Sequence, residues 1–302
     1  MSDSLEILQR KITSAADLKQ VVRTMKAIAA SNISRYEQAV RSLDVYEACV
    51  RHGLQVGLRH HRPGISVMRP HHATGAILFG TDQGLVGQFN DELADFALRE
   101  LAGAPDLAVW VIGERLEYRV REAGLPVTAV FPVPASVATI TGLVSDLLTA
   151  VLVWTGQHAA QPLWVMHHAP AGGELYHPVS QRMLPLDDDW RRELLALPWP
   201  GNRLPEIVGD ATRTLGALIR EYLFVSCYRA CAHSLASENA SRLAAMQRAD
   251  RNIDEMLHDF RSRWNQSRQE SIDEELFDVV AGFEALRRPL QHTEEVMPDE
   301  TA

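Results

Sequence analysis

The chain has 302 residues, 30 basic and 39 acidic side chains, and a formal charge of -9. That length allows a buried core and two structural units, and the acidic balance argues against a general nucleic-acid binder. Three cysteines, Cys49, Cys227 and Cys231, form no paired framework and point to a reducing compartment. Cys227 and Cys231 stand four apart on an expected helix, where plain burial is favoured over a disulfide. No run reaches the roughly 18 to 20 uninterrupted apolar residues of a membrane span, and MSDSLEILQRK is amphipathic without a signal-peptide core. Membrane contact is therefore expected only through partner proteins.

Residues 4–59 contain no proline. Leu8, Ile12, Ala15, Leu18, Val22, Met25, Ala29, Ile33, Tyr36, Val40 and Leu43 follow at steps of three or four, tracing one apolar stripe along a helix. Such a helix would be about 80 Å long, and its stripe needs a partner along its whole length. Within residues 1–35, Arg10, Lys11, Lys19, Arg23, Lys26 and Arg35 outnumber Asp3, Glu6 and Asp17. An acidic chain thus opens with a basic helix, suited to acidic loops of a partner or left as a solvated face.

The pattern then changes. Thr74–Phe79, Leu107–Ile112, Val127–Phe131 and 163–167 read as short apolar strands, with helical stretches at 91–101, 114–123 and 137–153 between them. This alternation predicts a parallel-rich sheet with helices packed on it. Residues 174–186 could pair at an edge before the acidic DDDW, and LPWPGNRLP closes the central unit.

The first strand runs into ILFGTDQGLVGQFN, where Gly80, Gly84 and Gly87 stand in the place of a phosphate-binding turn. The spacing fits neither common nucleotide fingerprint, since no GxGxxG is present and Gln88 and Phe89 stand where a Walker motif needs Lys and Ser or Thr. Asp82 would also direct negative charge at a phosphate. Gly80, Asp82, Gly84, Gly87 and Asn90 are therefore assigned to a structural sheet-to-helix turn, with a docking surface as the remaining alternative. The histidine pairs His60/His61, His71/His72 and His167/His168 read as loop or edge residues, because strand neighbours point to opposite faces and seldom share a metal. No GxSxG turn and no activated cysteine context is present. Catalytic, cofactor-binding and metal-ligating residues are all expected to be none.

Residues 209–286 again lack proline. Leu243, Met246, Asp250, Ile253, Leu257, Phe260 and Trp264 keep a heptad register, which slips through Arg268 to Ile272 and resumes at Leu276, Val279, Phe283 and Leu286. Asp250 occupies a seam position and is expected to fix register or face a third protein. The predicted architecture is α/β: a long antiparallel coiled coil of the terminal helices with an inserted, parallel-rich, Rossmann-like domain. The expected boundaries are 1–60, 70–206, 209–288 and an acidic tail at 289–302, with Pro289 ending the helix. Such a chain is expected to have the shape of a shaft with a knob.

The segments LKQVVRTMKAIAAS, SLASENASRLAAMQRADRNIDEM and NQSRQESIDEELFDVVAGFEAL, with FGTDQGLVGQFN between them, resemble the gamma subunit of F-type ATP synthases. The likeness covers nearly the whole chain, with the interior 102–203 least specific. It implies a non-catalytic central-stalk rotor that binds no nucleotide. Its partners would be the alpha and beta subunits of a hexameric ring, the epsilon subunit and the c-subunit membrane ring, on the cytoplasmic face of a bacterial inner membrane. By the same resemblance, Met25, Lys26, Arg268, Gln269 and Glu275 would contact beta-subunit loops, and Val279, Val280, Phe283 and Leu286 would slide in the sleeve of the ring. The chain departs from the family pattern at Asn32, Ser34, Gln83 and Asp273. A coiled-coil scaffold or adaptor is the alternative.

Overall fold

A computed structural model describes residues 2–60, 72–158, 161–170, 175–186, 188–203 and 205–287. The chain divides into two compact units, Thr24–Gln247 and the pair of segments Met1–Arg23 and Arg248–Ala302. The division falls inside the two longest helices, α1 (Ser2–His60) and α6 (Ala211–Arg287).

In the larger unit, β1 (Thr74–Phe79), β2 (Leu107–Ile112), β3 (Val127–Phe131) and β4 (Leu163–Ala169) are parallel, and β5 (His177–Leu184) runs antiparallel to β4. The order is β3-β2-β1-β4-β5. Chain progress moves outward from β1 through α2 (Phe89–Glu100) and α3 (Glu114–Glu122), then returns through α4 (Val137–Gln157) to the other side of β1. The switch in direction leaves a crevice at the carboxyl ends of β1 and β4, where open α/β sheets bind their ligands.

Strand alternation assigns the two faces. Ala76, Leu78, Val109, Val111 and Met166 pack with α2 and α3 through Leu93, Ala97, Leu116 and Val120. Ile77, Phe79, Trp110, Ile112 and Val165 pack on the other face with Ile140, Val144 and Leu147 of α4, Tyr36 and Val40 of α1, and Cys227, Cys231 and Leu235 of α6. A sheet buried on both faces requires the near-continuous apolar strands seen in the sequence. α4 is long and apolar enough to cross a membrane by length and composition, although Thr, Ser, Gly and Asp interrupt its apolar run. Its Ile140, Leu143, Val144, Leu147, Leu148 and Val151 lie buried against the sheet, the role of a core helix.

The acidic DDDW runs into a helix that was not expected, α5 (Asp188–Ala196). Leu194 joins Val50, Leu54 and Leu58 of α1 and Leu215 of α6 in a satellite core. Gln55, fully buried, donates to the carbonyls of Leu195 and Leu197 at 3.3 and 2.7 Å. α1 and α6 are antiparallel here, as the pairs Asn32–Asn239, Asp44–Arg229 and Tyr46–Glu221 show.

The smaller unit contains the first and last stretches of the same two helices. Lys11 lies over the Phe260 ring, Lys19 pairs with Asp254, and Arg23 with Asp250. Rising numbers meet falling ones, so the pairing is antiparallel here too. Ala15 and Val22 are buried opposite Ile253 and Leu257, a seam of heptad type. Leu18, assigned to the stripe, is instead 51% exposed. The buried residues of α1 recur seven apart at Ala15, Val22, Ala29 and Tyr36, and Leu18 falls outside that narrow contact band. Asp250 is mostly buried, with its carboxylate 4.0 Å from Arg23.

The end of α6 corrects the expected register. After Trp264 the partly buried positions are Ser267 and Ser271, which continue the seam without a slip. From Ile272 to Glu284 every side chain is exposed, including Leu276, Val279 and Phe283, which were expected to resume it. The reason is length. With Lys11 at Phe260, the described residues of α1 reach antiparallel only to about position 270 of α6.

Candidate functional site

The glycine turn is built as a joint. Gly80 is buried, and a Cβ there would lie 2.3 Å from Leu116 Cβ and 2.9 Å from Asn90 Oδ1. Only glycine permits that approach. Asn90 Oδ1 accepts the Thr81 amide at 3.2 Å while its Nδ2 donates to Thr81 Oγ1 at 2.8 Å. Asp82 accepts the Glu114 amide through Oδ1 at 3.0 Å and the Val133 amide through Oδ2 at 2.9 Å. One carboxylate thereby caps the start of α3, whose N-cap Gly113 has no side chain to do so, and ties down the loop after β3. Gly87 has a positive φ of 61°, while Gly84 has open space around it. Leu85 also has a positive φ, 64°, with its side chain exposed.

The crevice at the sheet's switch point is filled by α6. Ser234 Oγ donates to the Phe79 carbonyl at the end of β1 at 2.9 Å, Ser237 Oγ to His168 of β4 at 3.3 Å, and Ser241 Oγ to Val86 of the turn at 2.5 Å. All three serines are buried. α6 is enclosed on nearly every side here, and its Ala230, Cys231, Ala232 and Ala236 are small enough to admit close neighbours. A helix of this chain thus stands where a phosphate would have to sit.

The histidine pair of β4 also differs from its expected place. His167 and His168 lie inside the fold on an interior strand, because β5 covers the edge beyond β4. They point to opposite faces. His167 stacks with His233 of α6 at 6.1 Å, and His168 meets Phe89 and Tyr176 at 4.2 and 4.6 Å. His168 Nε2–H donates to the Phe89 carbonyl at 2.8 Å. Burial pushes His167 down to about 3, with neighbouring His233 adding to the shift, and burial pushes His168 down to about 4. Both are neutral at pH 7. His72 is exposed, His61 and His71 lie outside the described residues, as does the His60 side chain. Among the described residues no cluster of three or more His, Cys, Asp or Glu is placed to hold a metal ion. Burial raises the Cys227 thiol to about 12 and also raises Cys231, which removes thiolate character from both.

A groove of about 490 Å³ runs beside the turn, lined by Met25, Asn32, Tyr36, Gln83, Glu238 and Arg242 among others. Arg242 Nη2 holds the buried Glu238 carboxylate at 2.6 Å. Burial raises the Glu238 carboxyl and Arg242 opposes the shift. Met25 and Lys26, half-buried, belong to the larger unit. Arg268, Gln269 and Glu275 belong to the smaller one and are exposed. The Arg268 guanidinium stacks 5.5 Å from the centre of the Trp264 ring. Val279, Val280 and Phe283 are exposed, and the Leu286 side chain lies outside the described residues, as does the acidic tail. The serine contacts escaped the sequence reading, although SLASENAS carries a signal for them: three hydroxyls at helical spacing in an otherwise small-residue stretch.

These features define a class of protein: two long antiparallel helices carrying an α/β domain whose ligand crevice is closed by its own chain. A family model described as ATP synthase matches residues 4–286, and the chain belongs to that family, among the gamma chains. It is 24% identical to the ATP synthase gamma chain of Methylococcus capsulatus, over 91% of this chain and 97% of that one. It is 26% identical to the gamma chain of Micrococcus luteus, over 95% and 99%. Among solved structures it resembles a chain of the Euglena gracilis mitochondrial ATP synthase, OSCP/F1/c-ring in rotational state 3. The TM-score is 0.64 at 16% identity, over 98% of this chain and 100% of that one.

Proposed function

We propose that the chain is the non-catalytic central-stalk rotor of an F-type ATP synthase. It couples ion flow through a membrane ring of c subunits to ATP synthesis or hydrolysis on beta subunits. Family membership supports this reading, and one observation carries it. α6 continues as a single helix from Ile272 with Leu276, Phe277, Val279, Val280 and Phe283 all exposed. A helix end that exposes these apolar side chains, with none of the described residues covering them, calls for a collar supplied by other chains.

In this reading Val279, Val280, Phe283 and Leu286 turn against the inner surface of an alpha–beta hexamer. Met25, Lys26, Arg268, Gln269 and Glu275 meet beta-subunit loops. Few, directional polar contacts suit the task, because a shaft gripped uniformly could not turn. The α/β domain faces the epsilon subunit and the c ring, which places the chain peripherally on the cytoplasmic face of a bacterial inner membrane. No part of the mechanism requires a nucleotide on this chain, and the ion sites belong to other subunits.

The test is co-expression with the alpha and beta subunits of the same organism. The expected result is a complex with one copy of this chain per three alpha–beta pairs, in which a bead fixed to the α/β domain rotates on addition of ATP. A chain that stays outside the hexamer, or sits in it without turning, would leave the adaptor reading in its place.

A further inference from the structure

We propose that Ser234, Ser237 and Ser241 form a directional lock that transmits torque between the sheet and α6. The proposal rests on the rotor reading and concerns how the α/β domain grips the shaft.

The hydroxyls follow at steps of three and four and so share one helix face. Their acceptors come from three separate places, the end of β1, β4 and the glycine turn. Several serines and threonines on α1 and α4 behave differently. Thr13, Ser42, Ser145 and Thr149 donate to the carbonyl four residues back on their own helix, the usual outlet for a helical hydroxyl. The three buried serines donate away from their own helix instead, two to the sheet and Ser241 to the glycine turn.

The surrounding packing explains why such bonds matter. Ala230, Ala232 and Ala236 leave this part of α6 with few large side chains to interlock with its neighbours, Leu235 being the main one. Apolar attraction has no preferred direction, so small side chains hold a helix in place while opposing its rotation weakly. A hydrogen bond depends on angle and distance. Turning α6 about its axis by one residue, about 100° in a helix of 3.6 residues per turn, would take all three hydroxyls from their carbonyls together. The buried carbonyls would then lose their serine donors, Val86 keeping only the Phe89 amide at 3.4 Å. Ser234, Ser237 and Ser241 are positioning residues: they are buried within this chain and act by fixing the angle of α6 in the sheet.

The experiment uses the full complex reconstituted in vesicles, with the chain carrying S234A, S237A and S241A together. ATP hydrolysis, ions moved per ATP, and torsional stiffness read from a probe on the exposed Tyr118 position are compared with the native complex. The expected result is hydrolysis within about twofold of native and ions per ATP lowered at least about threefold against an opposing gradient, with a softer twist, as loss of three directional bonds implies. If the triple variant does not assemble, S237A and S237T are measured singly. Threonine keeps the hydroxyl, so S237T is expected to retain coupling that S237A loses. Native coupling and stiffness in the triple variant, or equal loss in S237A and S237T, would overturn the lock alone. A native complex that does not rotate would overturn the rotor reading and the lock with it.

Discussion

Asp82 accepts the backbone amide of Val133 at 2.9 Å across a sequence gap of fifty-one residues, while its other oxygen holds the amide of Glu114. The residue that would repel a phosphate in the glycine turn is the one that ties three loops together. Replacing it with alanine leaves two amides without acceptors, and D82A is expected to lower stability by about 2 kcal/mol. D82N keeps one acceptor and should lose about half of that. Urea titration followed by circular dichroism measures both, and a D82A midpoint equal to native would contradict the role.

Gly80 has a harder constraint. An added methyl group would meet the Leu116 side chain at 2.3 Å with backbone on both sides fixed by β1 and α3. G80A is expected to cost about 3 kcal/mol or to prevent folding. G84A, with nothing within 4 Å of the added atom, should change stability by less than about 0.5 kcal/mol. Comparing their denaturation midpoints separates a glycine required by close approach from one that is not.

His167 and His168 make the fold sensitive to acid. Their native values lie near 3 and 4, below the ordinary histidine value of 6.5. As pH falls below about 6.5 the unfolded chain takes up protons that the native one refuses, so stability falls with pH until the native values are reached. Each histidine is expected to remove about 2 kcal/mol between pH 8 and pH 5. The check is the pH dependence of the urea midpoint in native protein and in H168Q, which should show a shallower decline. Parallel slopes in the two proteins would show that His168 does not titrate in this way.

The exposed end of α6 should matter to the assembly and little to the chain alone. V279S with F283S removes apolar surface that is already in water, at 69% and 65% exposure. The isolated chain should keep its melting behaviour within about 0.5 kcal/mol. Binding to the alpha–beta hexamer should weaken at least tenfold, about 1.4 kcal/mol, measured by titration of labelled chain. Unchanged affinity would remove these residues from the collar contact.

Exchange of Arg268 and Gln269 for alanine tests the polar contacts separately. Both side chains are exposed, so assembly should stay intact while ions pumped per ATP decrease. The readout is the ratio of ion transport to hydrolysis in vesicles; an unchanged ratio would take the pair out of the mechanism.

Much of the architecture is written in short-range patterns. The four parallel strands could be placed from apolar runs between helical stretches, and the long helices from proline-free periodicity, because both signals depend on neighbours within a few residues. The seam was legible at Ala15, Val22, Ile253 and Leu257 for the same reason. Other features depend on distant partners. Leu18 has the right spacing for the seam and still faces water, and Leu276 keeps an apolar rhythm yet is exposed, with no second helix opposite it among the described residues.

His167 and His168 show the limit most directly. A dipeptide of histidines suits a loop equally well, and its burial follows from β5 folding back over the edge of β4 and α6 lying across the other face. Likewise three serines spaced along a helix look like solvated surface until the sheet is brought against them. Periodicity records which face of an element is apolar, and that much any one segment carries in its own residues. What covers the face, and which carbonyl a buried hydroxyl finds, is set by chain closure over a hundred residues or more, where no local pattern reaches.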